Sequence, residues 1–208
     1  AGRGDPGHPA YGHVAWGVST PAWLKANYGD DNARVLLSTA AAAGLLGDDR
    51  WDEAMALCLL ANLRTTGVHG FRPGRSDMEQ LEERGWEACF RDDLILLHPH
   101  YECYLWACFL WAYTISGDML FLRRAHDAIG RVVTAGPEAW CWTNGLAQER
   151  ARMLLPLAWL VRAADTAEHR NWLRAVADRL LALQDDCGAI TEQLGSPALG
   201  SYPPPPSN

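Results

Sequence analysis

Three short strings hold the side chains with which this sequence could move protons or grip a polar ligand. Asp30 and Asp31, with Arg34 one turn further on, sit in YGDDNAR. His98, His100, Tyr101 and Glu102 crowd into HPHYE, and Trp142, Asn144, Gln148, Glu149 and Arg150 fall within WCWTNGLAQER. Carboxylates, imidazoles, amides and indole rings together suit sugar binding and acid–base chemistry. Asp31, Glu102 and Glu149 are the candidates for a catalytic acid and its partner base or nucleophile. Asp30, Arg34, His98, His100, Tyr101, Trp142, Asn144, Gln148 and Arg150 are the candidates for positioning a substrate.

Plainer roles compete for these residues. Asp30 or Asp31 suits a helix N-cap, and so does Thr143 or Asn144. His98 falls at a cap position because Pro99 opens the helix behind it. Glu149 stands three residues before Arg152, the spacing of an ion pair along one helix. Glu192-Gln193 reads as an unremarkable polar pair in a loop, and Glu82-Glu83 and Asp92-Asp93 as solvated charge. His98, His100 and Glu102 resemble a metal trio, yet no further ligand stands at a recognisable spacing. No metal and no cofactor are expected.

Positioning these strings falls to helices, since apolar residues recur at three and four almost throughout. The pattern predicts a first helix over Asp31–Leu46, a second over Trp51–Thr65 and a third from Pro99 to Gly117. A fourth follows over Met119–Thr134, a fifth from Asn144 to Ala164, and a sixth from Ala167 to Gln184. SDMEQLEER predicts a short exposed helix, and Pro156 a kink or broken turn inside the fifth. Residues 1–26 read as an extended segment, 27–184 as the helical body, and 185–208 as a loop with a proline-rich tail.

Three connections look alike: LLGDDRW, ISGDMLF and AADTAEHRNW each place a small residue and an Asp between two helices, with an aromatic soon after. The unit is an αα-hairpin met three times. The odd helices are richer in Ala, Leu and aromatics, and the even ones carry more charge. An all-α arc with odd helices inside and even ones outside is therefore expected. Parallel inner helices would bring all three chemistry-bearing strings to one rim, backed by helix N-terminal dipoles.

The 208 residues fit one sizeable domain, and a net charge of −7 argues against nucleic acid as a partner. No apolar stretch reaches the length of a membrane span, and AGRGDPGHPAYGH has neither the basic nor the apolar region of a secretory leader. The six cysteines form no CxxC pair and are expected reduced, as small buried hydrophobes. Ten tryptophans exceed what a core needs, leaving some as flat faces for a ligand.

YGDDNARVLL, HPHYECYLWACFLWAY and WCWTNGLAQERARMLLPLAWLVR, with the closing LGSYPPPPSN, together resemble a bacterial family of six-hairpin glycosidase-like proteins. The resemblance covers roughly residues 27 to 208. It implies an (α/α)6 toroid with a carbohydrate cleft at the N-terminal ends of the inner helices. Only three hairpins stand here, where that fold closes with six.

The expected function is accordingly that of a glycoside hydrolase, or part of one, acting on a polysaccharide or oligosaccharide. A polysaccharide lyase, with Tyr101 or His100 abstracting the proton, is one alternative, and a non-catalytic helical-repeat module is another. A uronic-acid substrate would pair its carboxylate with Arg34 or Arg150. Glu102, one turn into an aromatic helix, is the carboxyl expected to be desolvated, while Asp31 is expected to stay ionised. Open flanks of the arc predict a homo-oligomer.

Overall fold

The computed structural model describes residues 2–202. Among these the chain is all-α, with nine α-helices and four strands of two or three residues. The helices are α1 (Pro21–Lys25), α2 (Gly29–Leu46), α3 (Asp52–Arg64), α4 (Met78–Arg84) and α5 (Trp86–Phe90), then α6 (Pro99–Ser116), α7 (Met119–Ala135), α8 (Leu146–Ala163) and α9 (Ala167–Leu181).

α6 is apolar on every side, and a helix of that kind belongs in the interior. Cys103, Leu105, Trp106, Ala107, Cys108, Phe109 and Leu110 are all fully buried there. α2 and α8 pack on either side of it, and both run parallel to it. Gly29 meets Tyr101 and Glu102 while Ala33, a turn later, accepts the Cys108 thiol at 3.7 Å. On the other side His100 meets Glu149, and Cys103 lies 3.3 Å from the Met153 sulfur.

α7 turns an apolar stripe inward, burying Phe121, Ala125, Ala128, Ile129 and Val132 at helical spacing. Each of α3, α7 and α9 packs back against the helix before it. Gly47 and Gly117, both left-handed at φ 63° and 72°, end α2 and α6. Asp118 then caps α7 by accepting the Leu120 N–H, and Thr166, rather than Asp165, caps α9.

Several boundaries differ from the sequence reading. Residues 1–26 are not uniformly extended: they hold a 3-10 turn at Gly2–Gly4 and the helix α1. Arg3 pins this segment down by donating to the carbonyls of Val14, Leu24 and Ala26. α5 was not foreseen, and α4 is only partly exposed, because Leu81 is buried against Ala10 and Cys89. α8 passes through Pro156 unbroken; the proline is buried and only removes one helical donor.

Strands Ala26–Asn27 (β1) and Ser76–Asp77 (β2) pair antiparallel, and Trp142–Thr143 (β3) pairs parallel with Gly200–Tyr202 (β4). Residues 203–208 of the proline-rich tail lie outside the described residues. All six cysteines are free. Among the described residues no helix is long and apolar enough to cross a membrane.

Candidate active site

The N-terminal turns of α2, α6 and α8 meet at one end of the molecule, and the close approach depends on a residue with no side chain. A Cβ on Gly29 would lie 2.7 Å from the Tyr101 carbonyl oxygen and 3.3 Å from both Glu102 carboxylate oxygens. Glycine therefore lets α2 seat its first turn on α6. One turn later Asn32 fastens the preceding loop: its amide donates to Asn27 Oδ1 at 2.7 Å and to the Tyr28 carbonyl at 2.8 Å.

α2 begins at Gly29 with Tyr28 at its N-cap, so neither Asp30 nor Asp31 is the cap. Asp30 is buried and faces two guanidiniums, Arg34 at 3.1 Å and Arg152 at 3.7 Å. Asp31 is half-buried beside it. Burial first, and then the Asp30 charge, push the Asp31 carboxyl above the ordinary aspartate value, against the pull of Arg34, His100 and Arg152. Asp31, expected to stay ionised, has its pKa raised rather than lowered by these surroundings. The N-terminal dipole of α2 does not outweigh the lost water and the neighbouring carboxylate.

Glu102 is 1% exposed, and burial pushes its carboxyl up to about 8. Arg72 opposes the shift from 4.0 Å, and the charge of Asp30 adds to it. Both Glu102 oxygens are buried without a hydrogen-bond partner. Arg72 is itself fully enclosed and donates to Asn62 Oδ1 at 2.5 Å. Glu102 thus sits behind the rim, out of reach of solvent.

Glu149 is 0% exposed and does not pair with Arg152. It accepts the Thr143 N–H at 2.8 Å and lies 3.6 Å from His100 Nδ1. Arg152 instead reaches across to α6, donating to the His100 carbonyl at 2.9 Å and approaching His100 Nε2 at 3.4 Å. The i, i+3 pair loses because both groups have cross-helix partners in a drier setting.

The remaining candidates divide between rim and interior. His98 caps α6 in position, its ring 3.0 Å from the Thr143 hydroxyl, and burial lowers its pKa to about 4. Tyr101 stacks on Tyr28 at 5.6 Å and packs edge-on against His98 and His100. Arg34 is exposed and lies over the Tyr104 ring. Trp142 was expected to meet substrate, but it is buried under Gly195 and Gly200 and donates to the Ser196 carbonyl.

Neither Thr143 nor Asn144 caps α8, which starts after Gly145; Asn144 is exposed at φ 69°. The cap comes from the distant loop. Glu192 accepts the Ala147 N–H at 2.7 Å and the Gln148 N–H at 3.2 Å, so Glu192-Gln193 is not an idle polar pair. Gly145 permits this at φ 148°, where a Cβ would overlap the Glu192 carboxyl at 2.2 Å. Gln148 is part-buried, with an unpartnered carbonyl oxygen. Arg150 turns away from Asp31, donating to Gln193 Oε1 and lining a separate cavity with Arg179.

Aromatic residues beyond the three strings extend the rim. Trp16 lies 5.5 Å from Tyr28 and 5.0 Å from Trp23, and both tryptophans are exposed by 40% or more. The surplus of tryptophan was the only sign of this platform in the sequence. Arg72 and Asn62 gave no sign at all, and Arg152 showed only as an expected partner of Glu149. Among the described residues no group of three or more His, Cys, Asp or Glu is placed to hold a metal ion.

No protein-family model matches the chain, and no curated protein and no solved structure matches it.

Proposed function

We propose that the chain is a three-hairpin arc of an (α/α)6, six-hairpin glycosidase-like protein, and that its rim serves the hydrolysis of a polysaccharide or oligosaccharide. The observation that carries this reading is the state of Asp31. It is the one catalytic candidate that solvent reaches, and burial and Asp30 raise its pKa. A general acid for a glycosidic oxygen needs that combination of access and raised pKa. Glu102 and Glu149 are positioning residues in this reading: one fills the seat under Gly29, the other fixes Thr143 and His100. Trp16, Trp23 and Tyr28 offer ring faces on which sugar rings stack. The exposed apolar side of α2, with Val35, Leu45 and Leu46, is where a neighbouring hairpin or a second copy would pack.

The test is release of reducing ends from a panel of neutral and acidic polysaccharides. Asp31→Asn should cost at least about a hundred-fold in rate with the fold intact. A loss within about ten-fold would remove Asp31 from the chemistry.

The lyase reading is kept by one specific contact. The His100 ring stands between Arg152, 3.4 Å from its Nε2, and the buried Glu149, 3.6 Å from its Nδ1. A carboxylate behind an imidazole orients a base. An unsaturated product absorbing in the ultraviolet, lost in His100→Gln and kept in Asp31→Asn, would select the lyase. Binding of glycans with no cleavage would select a non-catalytic module.

A further inference from the structure

We propose that the cavity between the C-terminal end of α7, the 3-10 turn Pro137–Ala139 and α9 binds a carboxylate-bearing sugar, with the carboxylate held between Arg150 and Arg179. The cavity measures about 340 Å³, within the range of small-molecule sites. Val133, Trp140 and Val176 line it with apolar surface, and Arg150, Arg179 and Glu138 line it with charge.

Arg150 is the buried anchor. It is only 8% exposed, yet one guanidinium nitrogen donates to Gln193 Oε1 at 2.8 Å while its Nε is buried and donates to nothing. A buried N–H left without an acceptor is costly, and an incoming carboxylate would supply one. Arg179 is exposed on α9 and close enough to be felt: burial and then the Arg179 charge lower the Arg150 pKa, with Glu138 and Glu192 acting in the other direction. Glu192 is already committed to the N-terminus of α8. Glu138 lies back over its own turn, 3.1 Å from where a Cβ on Gly136 would stand. Two guanidiniums that repel each other across an open cavity form a fork for one bidentate anion.

The wall decides what else the ligand carries. The Trp140 N–H is spent on the Val132 carbonyl at 2.9 Å, so Trp140 contributes ring surface only. Apolar surface, a carboxylate acceptor and two guanidiniums lining one cavity suit a pyranose with one acid group and several hydroxyls, a uronate. Naming a sugar rests on the glycan reading of the rim. The cationic fork itself does not.

Calorimetric titration of the protein with galacturonate, galactose and inorganic phosphate tests this directly. Galacturonate should bind at least about ten-fold tighter than either of the others. Arg179→Gln, a change at an exposed position, should weaken galacturonate by about ten-fold or more, and Arg150→Gln should abolish binding. Unchanged galacturonate binding in a folded Arg179→Gln protein would overturn the proposal, whatever Arg150→Gln does to folding. Phosphate binding as tightly as galacturonate would overturn it too, leaving a plain anion site. Because the readout is binding, the two readings fail separately. Uronate binding without glycan cleavage would sink the hydrolase and keep this site, and cleavage dependent on Asp31 without uronate binding would do the reverse.

Discussion

Gly29 and Glu102 are in contact through an absence: the carboxyl of Glu102 lies 3.3 Å from the point at which a side chain at position 29 would begin. The neighbour that cannot give way is the Tyr101 carbonyl, because it belongs to the first turn of α6. Gly29→Ala should therefore push α2 off α6 and cost about 1–3 kcal/mol. Urea denaturation of the two proteins measures it. A loss below about 0.5 kcal/mol would mean that the seat is looser than the geometry says.

Glu102 carries a dependence of stability on pH. Its carboxyl is held near 8 in the folded protein, above the usual 4.5 of an unfolded glutamate. Between those values the unfolded chain gives up a proton that the folded protein keeps. Stability therefore falls as pH rises through this window, by about 1.4 kcal/mol per unit. Glu102→Gln has no such proton, so the variant should gain on the parent from about pH 5 to about pH 8. Parallel stability curves for the two proteins would refute the assignment.

His98 works from the acid side. Its pKa is lowered to about 4 from the usual 6.5, because burial disfavours the cation and His100 and Arg152 add like charge. Here the unfolded chain takes up a proton that the folded protein refuses. The stability this group contributes is complete above about pH 6.5 and is lost as pH falls toward about 4. His98→Gln should be less stable at neutral pH, for want of the contact with Thr143. Its deficit should shrink on acidification. A constant deficit across that range would show that His98 does not titrate as placed.

The cap on α8 is supplied from more than forty positions away. Glu192→Ala removes acceptors from the Ala147 and Gln148 N–H groups and should cost about 1 kcal/mol. Gly145→Ala should cost more than that, since it forces a side chain both into a backbone region reserved for glycine and onto Glu192. Thermal melts rank the three proteins. Gly145→Ala melting above Glu192→Ala would contradict this order.

What could be read in advance follows from how local each signal is. α6 was legible nearly to the residue because a proline opens it, a glycine closes it and a long aromatic and aliphatic run lies between. α5 was not, since WEACF is too short for a period to show. The meeting of the three strings at one end followed from the parallel inner helices. Which carboxylates solvent reaches did not, because that is decided by distant residues. Arg72 comes from a polar stretch with Gly70, Pro73 and Gly74, yet it is buried against Glu102 and Asn62. Arg152 and Glu192 misled for the same reason: each reaches a partner on another element.

The six free thiols make the protein its own clock for opening. Cys58, Cys89, Cys103 and Cys108 are buried, and burial pushes each of these thiols up, Cys58 to about 11. Only the thiolate reacts with an alkylating reagent, so these four are silent while the helices stay packed. Cys187 is exposed and Cys141 half-buried. Mass spectrometry of a timed alkylation should thus record one or two additions early. Cys103 and Cys108 should follow at the rate at which α6 leaves its neighbours, while Cys58 on α3 and Cys89 on α5 report the opening of their own contacts, without any label or engineered probe.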